Sequence, residues 1–435
     1  MKNDIINFFE PDVIAVIGAS NNEGKVGYSL MRNLNNFKGI IVPVNIHEEE
    51  ILGKKAYKSV LNYEDKIELA VIAVPAKIVK SVLIECGKKK IKNVIIISAG
   101  FSEIGNVKGE EELKKIAKKY KIRILGSNCF GVVNPYLELD TSFAVSTPKK
   151  GDIAFISQSG ALWSAVSDWS LRENFGFSKF ASLGNMSDVN FSDLIEYLNK
   201  DENTRVIVLY IELLKDGKKF MEIAKKSKKP IIAIKAGQSE AGREATLSHT
   251  GSLAGSYEIY KAALKQSNVR IAESLTQAFD MAKLKKEIKG KKVVIVSNAG
   301  GPGALTADYF EEKNLDVVEL PKKVVNNLNK SLPNTWSKGN PIDIVGDAKA
   351  DRYKIVLEEL SKNGFYDILI VILTPQKMSE VEESARALVE FNNKVDKVVL
   401  ACWMGGEGVR AGKEILENAG IPCFFEPKRA VDALG

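Results

Sequence analysis

From end to end this chain alternates short β-branched apolar runs with amphipathic stretches rich in lysine and glutamate. Few folds accommodate that pattern. Near-continuous apolar runs of five or six residues must be buried on both faces, and the amphipathic stretches between them supply the covering helices. The result is βαβ units and parallel sheets. In the first third, residues 13–18, 40–45, 69–75, 94–98 and 123–126 read as strands, with helices near 26–36, 77–90 and 110–120. In the last helix Leu113, Ile116, Ala117 and Tyr120 fall on one face.

The pattern restarts twice, after Pro148-Lys149-Lys150-Gly151 and after Lys289-Gly290-Lys291-Lys292. Strands are expected at 153–157, 179–183, 206–211 and 230–235 in the second stretch. In the third they are expected at 293–297, 316–320, 341–345, 368–373, 398–403 and 422–425. Both restarts run strand, then Ser-[Gln/Asn]-[Ser/Ala]-Gly, then a helix opening with Ala-Leu, so the two stretches read as related doubly wound domains. A chain of 435 residues has room for about three domains. The expected fold class is α/β, with three doubly wound parallel-sheet domains at 1–128, 129–288 and 289–435.

Composition narrows the function classes. Apolar residues at 45% and charged residues at 27% describe an ordinary globular chain. No apolar run approaches a membrane span, and Met1-Lys2-Asn3-Asp4 does not open a signal peptide, so a cytoplasmic protein without membrane contact is expected. The net charge of +7 is spread over helical lysine runs, which reads as solvated helix faces and not as a nucleic-acid surface. Four scattered cysteines fit reduced thiols, and two histidines are too few for a local Cys/His zinc site, so no metal is expected on this chain.

The first loop, Gly18 to Gly27, follows a strand and opens a helix, and small residues there let backbone amides approach an anion. Its spacing is Gly-x5-Gly-x2-Gly, and Asn45 stands where a ribose-gripping acid would end the second strand, so NAD is disfavoured while another nucleotide is not. The loop is either a structural turn or a phosphate site. Strand ends at Ala73-Val74-Pro75-Ala76 and Ser98-Ala99-Gly100-Phe101 belong to the same sheet edge. In the second stretch, Ser157-Gln158-Ser159-Gly160 leads into a helix, with Ser159 a candidate N-cap and Ser159-Gly160 an anion-binding helix start. The first glycine of a nucleophile elbow is absent, which argues against Ser159 as a nucleophile.

Residues 236–255 hold almost no large apolar side chain and read as a long functional loop. By default a lone histidine is incidental. His249, set between Ser248 and Thr250-Gly251-Ser252, has the surroundings of a phosphoryl carrier, since neutral imidazole is a good nucleophile toward phosphorus. Glu212 ends the strand at 206–211; it is either a solvent-facing strand end or the carboxylate that accepts Nδ1–H of His249 and frees Nε2. His47 reads as an exposed loop residue. Asn298 to Gly303, Asn340-Pro341-Ile342-Asp343 and Asp347 in the third stretch read as structural or assembly features.

With these motifs in place, the chain resembles the α subunit of the ADP-forming acetyl-CoA synthetases, relatives of succinyl-CoA synthetase, over nearly its whole length. The resemblance rests on Ile17-Gly18-Ala19-Ser20, Ala73-Val74-Pro75-Ala76, Ile97-Ser98-Ala99-Gly100-Phe101, Gly126-Ser127-Asn128-Cys129, Ser157 to Leu162, Ser248-His249-Thr250-Gly251, Asn298 to Gly303 and Asn340 to Asp343. Ser127 stands where the family usually has proline, and Asn21-Asn22-Glu23 where a basic residue is common.

The resemblance implies a Rossmann-like CoA-binding domain followed by two flavodoxin-like ones. Its reaction converts acyl-CoA, ADP and phosphate to acid, CoA and ATP through acyl phosphate and a phosphohistidine matching His249. Glu212 would orient the histidine, and Ser159 and Gly160 would hold the phosphate. Gly18, Ser20, Val74, Pro75, Ala76, Ser98, Gly100 and Asn128 would form the CoA site, with Lys25 near its phosphates. Mg-ADP and Mg-ATP would bind an ATP-grasp β subunit or fused β half in an α2β2 hetero-oligomer. Two other functions fit the same scaffold: a non-catalytic CoA-sensing regulatory module, and the synthetase-like half of a protein acetyltransferase.

Overall fold

The computed structural model describes residues 5–250 and 256–435, and for residues 246–250 the backbone. Two compact units divide the chain, Met1–Glu273 and Ser274–Gly435. The first holds two large sheets and a two-stranded hairpin of Glu50–Ile51 with Lys54–Lys55, and the second holds one sheet.

Strands β1 (Val13–Ile17), β2 (Ile40–Val44), β3 (Leu69–Ile72), β4 (Asn93–Ile96) and β5 (Arg123–Gly126) form a parallel sheet in the order β2-β1-β3-β4-β5. Counted this way the order is that of flavodoxin. Beyond β2, however, Tyr57 makes a parallel bridge to Val44, with Tyr57 N–H donating to Pro43 O at 2.9 Å. One residue thus replaces the outer strand of the Rossmann order 3-2-1-4-5-6. All residues of β3 and β4 are buried, as expected of strands covered on both faces.

The second sheet contains β6 (Val132–Asn134), β7 (Leu139–Asp140), β8 (Lys150–Ser157), β9 (Phe177–Ser182), β10 (Val206–Ile211), β11 (Ile231–Lys235) and β12 (Val269–Ile271), in the order β12-β11-β10-β8-β9-β6-β7. Counted from β8, the five parallel strands follow the flavodoxin order 2-1-3-4-5. The antiparallel pair β6 and β7 closes one edge. One apolar cluster runs from Phe8, Ile14 and Val71 to Ile156, Leu194 and Leu209, so the first two sheets share a core.

In the second unit, β13 (Lys292–Ser297), β14 (Asp316–Val317), β15 (Ile342–Asp343), β16 (Ile368–Leu373), β17 (Val398–Trp403) and β18 (Cys423–Phe424) repeat the flavodoxin order, β14-β13-β16-β17-β18. Here the second strand is split: β14 pairs with the start of β13 and β15 with its end. Asn340 fills the gap, donating to Val293 O and Val318 O at 2.8 Å and accepting from Ile295 N–H. That bonding gives the Asn-Pro-Ile-Asp motif a structural use. Asp347 likewise pairs with Arg352.

Two local expectations change. Residues 236–255 are not one long loop, because Glu240–Thr250 is an α-helix. Ser239 Oγ caps it by accepting Gly242 N–H at 3.1 Å, and Glu240 sits in its first turn. Alanine, glutamate and arginine favour helix intrinsically, but with Leu247 the one large apolar residue there is no 3.6-residue pattern to betray it. The second change is the presence of β6, β7 and β12, strands of two or three residues too short to show alternation.

Candidate functional site

The loops leaving the carboxyl ends of the first sheet and those leaving the second sheet enclose one cavity of about 740 Å³. Val74, Ser98 and Asn128 line it from the first sheet, and Ser159, Gly160 and Glu212 from the second. Six of the residues singled out in the sequence therefore share one space, on the sheet edge where open α/β folds bind ligands.

Several of them are held by bonds visible in the structure. Ser98 Oγ donates to Val74 O at 2.5 Å and accepts Val74 N–H at 3.2 Å, which pins the ends of β3 and β4 together. Asn128 follows the cis Gly126–Ser127 peptide, has φ +52°, and donates its backbone N–H to Ser98 O at 3.1 Å. Ser157 Oγ donates to Ser159 O at 2.7 Å. The helix Ala161–Arg172 begins at Gly160, one residue beyond the expected cap, and carries no side-chain cap. Its first turn therefore presents unpaired donors and the positive end of the helix dipole where Gly160 and Ala161 line the cavity. A Cβ on Gly160 would lie 2.6 Å from Phe130 Cβ, so only glycine lets the helix start this close to the opposite wall. Trp163, fully buried, anchors the same turn by stacking on Phe180 at 4.0 Å and edge-on to Phe177 at 5.0 Å.

The remaining first-sheet residues lie outside this cavity's lining. Ser20 is 2% exposed, and its hydroxyl accepts Asn22 N–H at 3.1 Å. Gly18 has φ +94° and sits under the following helix, since a Cβ on Gly27 would fall 1.9 Å from Gly18 O. Lys25 is exposed at the start of the helix Val26–Asn33. Pro75 caps the helix Ala76–Lys88, whose first residue is Ala76, and Gly100 N–H donates to Glu103 Oε1. Asn45 braces the first loop, donating to Ala19 O at 2.8 Å. His47 is exposed. His249 occupies the last turn of the helix Glu240–Thr250, which packs on the turn Ser102–Ile104 beside the cavity; its side chain lies outside the described residues.

The sequence reading missed part of the lining. Gln158 Oε1 accepts the N–H groups of Glu212 at 2.7 Å and Leu213 at 2.9 Å. Its place inside the Ser-Gln-Ser-Gly motif was the available signal. Asn185 Nδ2 joins Glu103 at 2.6 Å, Glu110 at 3.1 Å and Ser127 at 3.1 Å. Burial works to raise the Glu103 pKa, but the Asn185 amide and the Gly100 and Phe101 N–H groups pull it below the usual range. Burial lowers the Lys215 ammonium pKa, opposed by Glu110. Cys129 also lines the cavity, and burial pushes its thiol up to about 12, which removes it as a nucleophile at neutral pH. Among the described residues, no helix is long and apolar enough to cross a membrane, and no group of three or more His, Cys, Asp or Glu can hold a metal.

Family models match all three stretches: a CoA binding domain at residues 12–135, a succinyl-CoA ligase like flavodoxin domain at 150–285, and a ligase-CoA domain at 293–435. The chain is 45% identical to the α subunit of acetate–CoA ligase [ADP-forming] II of Pyrococcus furiosus, over 97% of this chain and 94% of that one. The chain belongs to the ADP-forming acetate–CoA ligases, as their α component. A fused relative, the acetate–CoA ligase [ADP-forming] of Methanocaldococcus jannaschii, is 45% identical over 98% of this chain but only 61% of its own length. Among solved structures, the dinucleotide forming acetyl-coenzyme A synthetase 1 of Ca. Korarchaeum cryptofilum, in complex with phosphate and ADP, superposes with a TM-score of 0.94 at 36% identity, covering 100% of this chain and 96% of that one.

Proposed function

We propose that this ligase α component makes and consumes acyl phosphate in the shared cavity and passes the phosphoryl group to His249. An oxygen of inorganic phosphate attacks the thioester carbonyl, the C–S bond breaks, and CoA leaves as its thiol. Imidazole Nε2 of His249 then attacks phosphorus, the P–O bond to the acyl group breaks, and the free carboxylate departs. In the last step the terminal phosphate oxygen of ADP attacks the phosphohistidine, the P–N bond breaks, and ATP forms. Gly160 and Ala161, at the uncapped helix start, bind the phosphate with Ser159, and their fixed dipoles need no rearrangement as charge develops. Glu212 takes Nδ1–H of His249. Val74, Ser98 and Asn128 hold the thiol end of CoA, while Gly18, Ser20, Lys25, Pro75, Ala76 and Gly100 carry the rest of it along the sheet edge.

The observation that carries this reading is the single cavity shared by Val74, Ser98 and Asn128 with Ser159, Gly160 and Glu212. Mg-ADP is assigned to an ATP-grasp β partner in a cytoplasmic hetero-oligomer such as α2β2; the greater length of the fused relative supports a further part. Domains at 1–128, 129–288 and 289–435 complete the assignment. Incubation with acetyl-CoA and labelled phosphate, with the partner present, tests it. Acid-labile label on the chain that is lost in His249→Ala is the expected result, and no label in the wild type would instead favour a CoA-sensing module.

A further inference from the structure

Glu212 does not stand on its strand alone. Gln158 Oε1 takes the N–H groups of Glu212 and Leu213, Lys235 Nζ donates to Glu212 O at 2.9 Å, and Tyr260 Oη accepts Leu214 N–H at 3.3 Å. Four backbone groups in three successive residues are therefore bonded by side chains from three other elements: the turn after β8, the end of β11, and the helix Tyr257–Gln266. Lys235 is 1% exposed, donates also to Ala236 O, and sits with its ammonium 4.5 Å from the centre of the Tyr260 ring. Lysine is among the residues least often buried, and an ammonium left inside without partners is costly. Its hydrogen bonds go to backbone carbonyls and its ammonium faces a ring, so its donors are spent on fixing the ends of β10 and β11.

We infer that Lys235 and Tyr260 are positioning residues for the ligase reaction, clamping the Glu212 turn so that its carboxylate meets the cavity at one fixed angle. The inference rests on the proposed role of Glu212. Neither residue touches the reacting phosphate; they act through the backbone of Glu212. A base held loosely spends part of its time out of line, and rate falls steeply with misalignment while binding of a distant ligand does not. Burial also draws the Lys235 pKa down to about 8, opposed by Glu212, as a buried cation held mainly by dipoles should be.

The test compares label incorporation from acetyl-CoA and labelled phosphate in wild type, Lys235→Met, Tyr260→Phe and Tyr260→Leu, with the ATP-grasp partner present. Lys235→Met and Tyr260→Leu are expected to lower the maximal labelling rate about tenfold while the half-saturating acetyl-CoA concentration stays within about twofold. Tyr260→Phe keeps the ring under the ammonium and is expected to lose only about threefold. That split separates positioning from general damage, which would move both parameters. If Lys235→Met does not fold, the two Tyr260 variants decide. Labelled wild type with both Tyr260 variants at wild-type rate overturns this inference alone. A wild type that takes no label overturns the parent reading and this one with it.

Discussion

The second and third sheets are two versions of one plan. Register makes the correspondence explicit. Ser157 lies opposite Tyr210 as Ser297 lies opposite Ile372, so Glu212 corresponds to Thr374. Ile211 pairs with Lys235 as Leu373 pairs with Trp403, so Lys235 corresponds to Trp403. The turn itself is built alike. Ser157 Oγ donates to Ser159 O, and Ser297 Oγ to Ala299 O at 2.8 Å. Gln158 grips the backbone after β10, and Asn298 grips Thr374 after β16, accepting its N–H at 2.8 Å and donating to its O at 2.9 Å.

What differs is charge. One copy carries a carboxylate and a buried ammonium where the other carries a hydroxyl and an indole. The side-chain grip on the strand end thus belongs to the fold, and the ionisable pair set upon it is where the proposed chemistry distinguishes the two copies.

That contrast can be broken at four points. Trp163 anchors the helix start of the second sheet where Gly303 stands in the third. Trp163→Ala should cost about 3–5 kcal/mol in denaturant unfolding, and a loss below about 1 kcal/mol would mean the aromatic stack does not hold the turn. Glu212→Thr, which copies the third sheet, should slow phosphohistidine labelling about 100-fold with an unchanged unfolding midpoint, while Thr374→Glu leaves labelling at the wild-type rate.

Glycine at the helix start should matter in one copy only. Gly160→Ala drives a methyl against Phe130 and should weaken phosphate use about tenfold, whereas a Cβ on Gly300 meets only the Asp343 carboxylate tip at 3.0 Å and should change stability by less than about 0.5 kcal/mol.

The smallest effect concerns pH. Because burial favours neutral Lys235 in the folded protein, the unfolded chain keeps that proton to higher pH and binds more protons in the interval above about 8. Stability should therefore rise with pH through that interval in the wild type relative to Lys235→Met. A parallel pH profile for the two proteins would contradict the assignment.

The two copies also explain what the sequence could and could not reveal. Long strands buried on both faces, such as β10 and β16, announce themselves as apolar runs, and the repeated Ser-x-x-Gly turn exposes the duplication. Glu212, Ser159 and Gly160 were legible because each ends or follows such a run. Lys235 was not, because a charged residue closing an apolar run looks the same whether its ammonium points to water or is buried under a tyrosine. The helix Glu240–Thr250 was hidden for the opposite reason, since small residues form a helix without marking a face. Tyr57, which completes the Rossmann order with one bridge, leaves no periodic signal at all.

A crystal structure of the chain with CoA and phosphate tests the central claim most directly. A phosphate oxygen within hydrogen-bonding distance of the Gly160 and Ala161 amides, with the CoA sulfur in the same 740 Å³ cavity, is the predicted result. Phosphate seated instead at the matching turn Ser297-Asn298-Ala299-Gly300, or CoA with its thiol away from Ser98 and Asn128, would contradict it.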